Sequence, residues 1–116
     1  MNKFKVAFKG LASAYRHRSV KIQVVLGVLA IIGGFIIRLN YLEWLIFIIC
    51  IFSVIALEVI NTCIESLCDL VINEYDERVK RIKDMASSFV LIEALMALVI
   101  CVLVIVNKLG GLFNGI

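Results

Sequence analysis

One apolar stretch of the sequence carries four polar residues that could do chemistry together. Glu58, Asn61, Glu65 and Asp69 are separated by three, four and four residues, so on a helix they fall within an arc of roughly 80°. Such a stripe could simply fix helix register by hydrogen bonding. Three acids and an amide on one face instead favour a functional site, because carboxylates inside a membrane cost several kcal/mol each unless paired, metal-bound or hydrated.

A charged segment, residues 73–84, follows this polar stripe. The segment is typical of a solvated loop, and Asp84 favours the start of the next helix. A lysine at position 83, held near a row of carboxylates, suggests a bound phosphate with a divalent cation, since Mg²⁺ prefers a few carboxylates plus phosphate oxygens. The sequence contains neither a GxxxxGK[ST] loop nor a GxGxxG motif, which excludes a soluble-type nucleotide-binding fold.

The composition indicates that the helices positioning these residues lie in a membrane. Of the 116 residues, 63% are hydrophobic and 18% are charged, whereas about 45–50% apolar residues is typical of soluble domains. A soluble chain of this length has too little interior to bury that excess. The net charge is +3, and six of the twelve cations precede the first apolar run, which argues against nucleic acid as a partner.

The four cysteines lie in or beside apolar helical sequence, and their spacing matches no zinc-binding pattern. We interpret them as small hydrophobic residues of membrane helices.

The whole chain, residues 1–116, is predicted to be one all-α membrane domain. An amphipathic helix over 3–18 should lie at the membrane interface, with its lysines toward anionic headgroups. The three transmembrane helices are predicted at 20–39, 41–72 and 84–107. Asn107, Lys108, Gly110 and Gly111 are expected to end the last helix. The excess of cations before the first span and in the 73–84 loop places the N-terminus in the cytoplasm and the C-terminus outside.

The sequence resembles, over essentially its whole length, the small bacterial integral-membrane lipid kinases, the diacylglycerol kinase and undecaprenol kinase family. The motifs that carry the resemblance are the ExxNxxxExxxD stripe, Glu74-Tyr75, and Lys83-Asp84 followed by Met-Ala-Ser. The resemblance implies an ATP-dependent kinase that phosphorylates a membrane lipid alcohol, either diacylglycerol or undecaprenol, at the cytoplasmic face of the bacterial inner membrane. It also implies a homotrimer whose active sites are shared between neighbouring subunits.

The resemblance implies roles for individual residues as well. Glu58 would be the general base toward the lipid hydroxyl, Asn61 would position the reacting groups, and Glu65 would bind the Mg²⁺ that bridges the ATP phosphates. Lys83 would contact phosphate oxygens, and the other residues implied near the nucleotide are Asp84, Glu74 and Tyr75. Asp69 would support the site without taking part in the chemistry.

One segment departs from the family pattern. The family usually has a second metal-binding glutamate after the amphipathic helix, and the matching stretch here, residues 15–23, contains no acid. Either His17 replaces that glutamate or the residue is deleted between His17 and Arg18. Neutral imidazole is a poor ligand for Mg²⁺, so His17 could instead bond to a phosphate or hold a water on the metal. Glu93 is a second departure, about 180° around its helix from Asp84, and has no assigned role.

Two other functions are compatible with parts of the sequence. A catalytically silent relative, acting as a membrane interaction protein, would explain the missing glutamate but not the intact stripe. A small proton-coupled drug exporter would need four spans and an essential carboxylate in the first one. The first apolar run, residues 22–37, contains no carboxylate, which disfavours the exporter.

Overall fold

The structure is a computed structural model that describes the backbone of residues 2–114 and the side chains of residues 2–111. The described chain forms four helices, α1 (Lys3–Tyr15), α2 (Arg18–Ile36), α3 (Tyr41–Val71) and α4 (Glu77–Asn114). By length and composition α2, α3 and α4 are each able to cross a membrane. The all-α class and the three helices of membrane-spanning length are therefore confirmed. Because α3 packs against both α2 and α4, it is the central helix.

The break between α1 and α2 lies earlier than the predicted boundary at residue 18. α1 ends at Tyr15, and the His17 N–H donates to the Ala14 carbonyl at 3.0 Å. His17 then takes an extended conformation (φ −78°, ψ 135°), which interrupts the helix. Ala14 and Val20, on either side of the break, are both buried.

α2 ends in a Schellman motif. The Leu39 N–H donates to the Gly34 carbonyl at 3.1 Å, and the Arg38 N–H donates to the Phe35 carbonyl at 3.4 Å. Arg38 has φ 57°, the left-handed conformation that this motif requires and that glycine usually supplies. Leu39 folds back over Gly34, where an added Cβ would lie 2.9 Å from Leu39 Cδ1. The tight turn therefore depends on a glycine at position 34.

A capping box begins α3. Asn40 Oδ1 accepts a hydrogen bond from the Glu43 N–H, and Glu43 Oε1 accepts one from the Asn40 N–H, both at 2.9 Å. The two bonds satisfy two backbone donors that a helix start otherwise leaves unpaired. Lys108 Nζ of α4 lies 2.9 Å from Glu43 Oε1. This ion pair joins the last turns of α4 to the α2–α3 turn.

The predicted start of the last helix near Asp84 is wrong, because α4 begins at Glu77. Asp76 acts as its N-cap: Asp76 Oδ1 accepts a hydrogen bond from the Arg78 N–H at 2.8 Å. Within the first turns, Lys80 Nζ bonds to Asp84 Oδ2 at 2.9 Å. Most of the charged segment that was predicted to be a loop is therefore helical, since a capping aspartate and a charge pair one turn apart both favour helix.

The predicted end of this helix is also wrong. Instead of stopping at Asn107–Gly111, α4 continues to Asn114. Glycine weakens a helix by about 1 kcal/mol relative to alanine but does not break it. It ends a helix when it takes a left-handed conformation, and in the described part of the chain no glycine has a positive φ. The bond from Lys108 to Glu43 also holds this part of α4 in place.

Candidate functional site

The polar stripe of α3 runs from a buried end to an exposed end. Glu58, Asn61 and Thr62 are buried, with exposed fractions of 5%, 7% and 6%. One turn further on Glu65 is half-buried, and Asp69 is exposed. The periodicity of the sequence predicted this common face, and the structure adds the gradient of burial along it.

Two oxygen atoms on the stripe are buried and without a partner. Asn61 Nδ2 donates to Glu65 Oε1 at 3.2 Å, so the amide fixes one oxygen of that carboxylate. Asn61 Oδ1 and Thr62 Oγ1 have no hydrogen-bond partner among the described residues. Buried polar atoms without partners are rare and costly, which makes these two oxygens candidates for ligand contacts.

Glu58 is the most deeply buried acid of the stripe. In the part of the chain that the structure describes, no cation forms an ion pair with it. A buried carboxylate without a charged partner keeps its lone pairs available for a proton, which is what a general base requires.

Lys83 lies at the exposed end of the stripe, where its Nζ forms an ion pair with Asp69 Oδ1. This contact joins the end of α3 to the second turn of α4 and places a cation near Glu65. Lys83 therefore lies beside the carboxylates of α3, as predicted. Asp84 is oriented differently: its carboxylate pairs with Lys80, and both side chains are exposed.

Glu74 and Tyr75 lie in the short connection between α3 and α4. Both side chains are exposed, Tyr75 to 77%. Neither makes a side-chain hydrogen bond to the stripe within the described residues. They lie beyond the same end of α3 as Lys83, as would be needed for contact with a soluble ligand.

A groove of about 630 Å³ runs between the start of the chain and α3. Leu11 and His17 line one side of it, and Thr62, Ser66 and Leu67 line the other. The groove is mainly apolar, with polar atoms near His17 and Thr62. His17 therefore shares a groove with Thr62, which borders the stripe, but Glu58, Asn61, Glu65 and Asp69 are not among the residues that line it.

The stripe offers few side chains that could bind a metal ion. Among residues 2–111, no group of three or more His, Cys, Asp and Glu side chains is placed to hold one. The Glu65 carboxylate and the unpartnered Asn61 Oδ1 are both hard oxygen donors. Mg²⁺ is typically held by one or two carboxylates and completed by water and substrate phosphates, so this sparse oxygen set fits Mg²⁺ bound together with a phosphate ligand.

Thr62 is the residue that sequence reasoning missed. It follows Glu58 by four residues and so falls on the same helical face, and this spacing could have identified it. Glu93, by contrast, is half-buried in α4, and within the described side chains it forms no ion pair with any of the cations.

Comparison with known proteins matches this chain to kinases. The family model of prokaryotic diacylglycerol kinases matches residues 5–105, a range that includes the groove, the stripe and Lys83. The chain is also 29% identical over 97 residues to undecaprenol kinase of Bacillus subtilis (strain 168), an alignment that covers 84% of this chain and 79% of that protein.

Proposed function

This chain belongs to the prokaryotic diacylglycerol kinase family, and we propose that it transfers the γ-phosphoryl group of ATP to the hydroxyl of a membrane lipid. The observation that carries the proposal is the stripe of Glu58, Asn61 and Glu65, in which Asn61 has a buried, unpartnered oxygen and which ends beside Lys83. The similarity to an undecaprenol kinase favours undecaprenol as the acceptor, with diacylglycerol as the second candidate.

Glu58 is the general base in this proposal. One of its carboxylate oxygens accepts the proton of the lipid hydroxyl as the hydroxyl oxygen becomes a nucleophile. Burial at 5% exposure keeps water from competing for that carboxylate. Thr62, one turn away, offers its unpartnered hydroxyl to orient the lipid headgroup at the mouth of the groove.

Glu65 and Asn61 would hold Mg²⁺ through their oxygen atoms, and the amide N–H₂ of Asn61 keeps Glu65 in place. When bound, Mg²⁺–ATP supplies the phosphoryl group and partial neutralisation of its charge. Lys83 contributes a further positive charge toward the phosphates, and the ion pair with Asp69 holds it at the membrane edge. Asp84, Glu74 and Tyr75 lie at this end of the chain for contact with the nucleotide.

His17 takes the place of the family's second metal-binding glutamate. Imidazole is a poor direct ligand for Mg²⁺, so in this proposal His17 bonds to a phosphate oxygen or to a metal-bound water. We expect His17→Ala to raise the Mg²⁺ concentration needed for half-maximal activity while lowering maximal turnover far less than loss of Glu65.

The proposal places the protein in the bacterial cytoplasmic membrane with its N-terminus inside, so that Lys83 meets cytoplasmic ATP. α1 then lies along the inner interface, with its lysines toward anionic headgroups. In this proposal each active site is completed by a neighbouring subunit of a homotrimer, as the resemblance to the membrane lipid kinases implies. A catalytically silent membrane interaction protein is not favoured, because the matched family and relative are both named for kinases.

The test is phosphate transfer by purified protein in detergent micelles with Mg²⁺ and γ-labelled ATP, offered undecaprenol or diacylglycerol. We expect label in the undecaprenol product and none with Glu65→Gln. Label only in phosphatidic acid would reverse the order of acceptors. No label in either lipid, from protein that is folded by circular dichroism, would refute the kinase proposal.

A further inference from the structure

A second groove lies at the other end of the helices, far from Lys83. It has a volume of about 400 Å³ and lies between the end of α2 and the last turns of α4. Two cations, Arg38 and Lys108, and three apolar side chains, Ile37, Ile105 and Leu109, line it. A groove of this kind, apolar along its length and basic at its rim, differs from the acidic stripe in charge and position.

Arg38 occupies the groove at a conformational cost. Its φ of 57° places it in the left-handed region, where a side chain with a Cβ is disfavoured and glycine is the usual residue. Strained positions of this kind often mark functional sites. Because glycine would fit this backbone conformation better, the arginine side chain is a candidate for a functional role.

The charge balance at this end points to an anionic ligand. The sequence has no acid before Glu43 and none after Glu93. Glu43 is already occupied by Lys108 and by the Asn40 N–H. Within the described side chains Arg38 therefore has no carboxylate partner, and the rim of the groove carries excess positive charge.

We infer that this groove binds the headgroup phosphate of an anionic phospholipid. The planar guanidinium of Arg38 is suited to bidentate phosphate contacts, whereas Lys108 lines the groove but is already paired with Glu43. Ile37, Ile105 and Leu109 would lie along the first carbons of the acyl chains. The site is separate from the one proposed for the lipid alcohol, which carries no charge before phosphorylation.

The test measures phosphatidylglycerol binding by native mass spectrometry, with the assembled protein titrated in micelles and no ATP present. We expect Arg38→Gln to weaken binding at the tightest site about tenfold, the effect of losing one charge-assisted phosphate contact. Arg81→Gln, which removes an exposed cation at the other end of the molecule, is the matched control and should bind as the wild type does.

Arg38→Gly separates binding from folding, because glycine suits the backbone at this position. We expect Arg38→Gly to unfold at the same temperature as the wild type or higher, and to lose phosphatidylglycerol binding as Arg38→Gln does. Wild-type affinity in both Arg38 variants, or an equal loss in Arg81→Gln, would overturn the inference. Because the assay contains neither ATP nor a lipid alcohol, its result is independent of the kinase proposal.

Discussion

The polar side chains at the start of α3 have hydrogen-bond partners, whereas some of those along the stripe do not. At the start of the helix, Asn40, Glu43 and Lys108 satisfy one another through a capping box and an ion pair. Along the stripe, Asn61 Oδ1 and Thr62 Oγ1 are buried and have no partner among the described residues. Completed polar networks stabilise a fold, whereas unpaired buried atoms are tolerated where a ligand completes them. We therefore expect the start of α3 to contribute to stability and the stripe to contribute to the proposed reaction.

The largest effect should come from Glu58→Gln at the chemical end. Removing a general base typically costs about 10²–10⁴ in rate, and glutamine keeps the shape of the side chain. We therefore expect lipid phosphorylation to fall at least about 100-fold, with little change in the unfolding temperature. Glu93→Gln neutralises another acid of a membrane helix and should retain near wild-type activity. Equal losses in the two variants would contradict the assignment of Glu58.

Glu43→Ala, at the start of α3, should lower stability and leave turnover unchanged. It removes the carboxylate that accepts from the Asn40 N–H and from Lys108. We expect a loss of about 2 kcal/mol in the free energy of unfolding, the cost of leaving such partners unsatisfied, with turnover per folded molecule unchanged. Glu43→Gln retains an acceptor for Asn40 and should lose less. Reversible unfolding in mixed micelles measures the free energy of unfolding of both variants. If Glu43→Ala were as stable as the wild type, the structural role of this end of α3 would be wrong.

Neighbouring glycines of α2 provide a sharper test of the same end. A Cβ added at Gly34 would lie 2.7 Å from Trp44 Cη2, whereas one at Gly33 would meet nothing within 4 Å. We expect Gly34→Ala to lower the unfolding free energy by about 1–2 kcal/mol through overpacking. Gly33→Ala should leave it unchanged or raise it slightly, since alanine favours helix. Similar stabilities for the two variants would show that the turn at Leu39 is looser than described.

The smallest expected effect concerns the cap of α4. Hydrogen bonds from the Arg78 side chain and backbone lower the pKa of Asp76 to about 2. A carboxylate with a lowered pKa stabilises the fold above its unfolded pKa of about 3.9, and this contribution is lost as the pH falls through 2. The difference in unfolding temperature between wild type and Asp76→Ala should therefore be constant at neutral pH and disappear at about pH 2. A pH-independent difference would rule out the ionised cap.

Local sequence signals were enough for the central helix. α3 was predicted at 41–72 and spans Tyr41–Val71, because the apolar run that begins at Tyr41 continues in helical register to about Ile72. α4 was predicted poorly at both ends. Its start depends on the choice between two possible capping residues, Asp76 and Asp84, and its last turns include Lys108, which pairs with a glutamate distant in sequence. Neither can be read from neighbouring residues.

The candidate site divides in the same way. The shared face of Glu58, Asn61 and Glu65 follows from helical periodicity alone. The pairing of Asp69 with Lys83, fourteen residues apart, depends on how the chain turns between α3 and α4. Burial of Thr62, and its place in a groove with residues of α1, depends on tertiary packing. Sequence therefore predicted which side chains share a face of α3 but not which buried oxygen atoms lack a hydrogen-bond partner.

Because α3 is longer than the bilayer core is thick, the depth of the stripe in the membrane should depend on bilayer thickness. Its 31 residues correspond to about 46 Å of helix, whereas the hydrocarbon core is about 30 Å thick. Measured from Tyr41, Glu58 lies about 26 Å along an upright helix and Asp69 about 42 Å, so the stripe crosses from acyl chains into headgroups. A thicker bilayer draws Glu65 into hydrocarbon, and a thinner one exposes Glu58 to water. Turnover should therefore pass through a maximum as the acyl chains of the host lipid are lengthened.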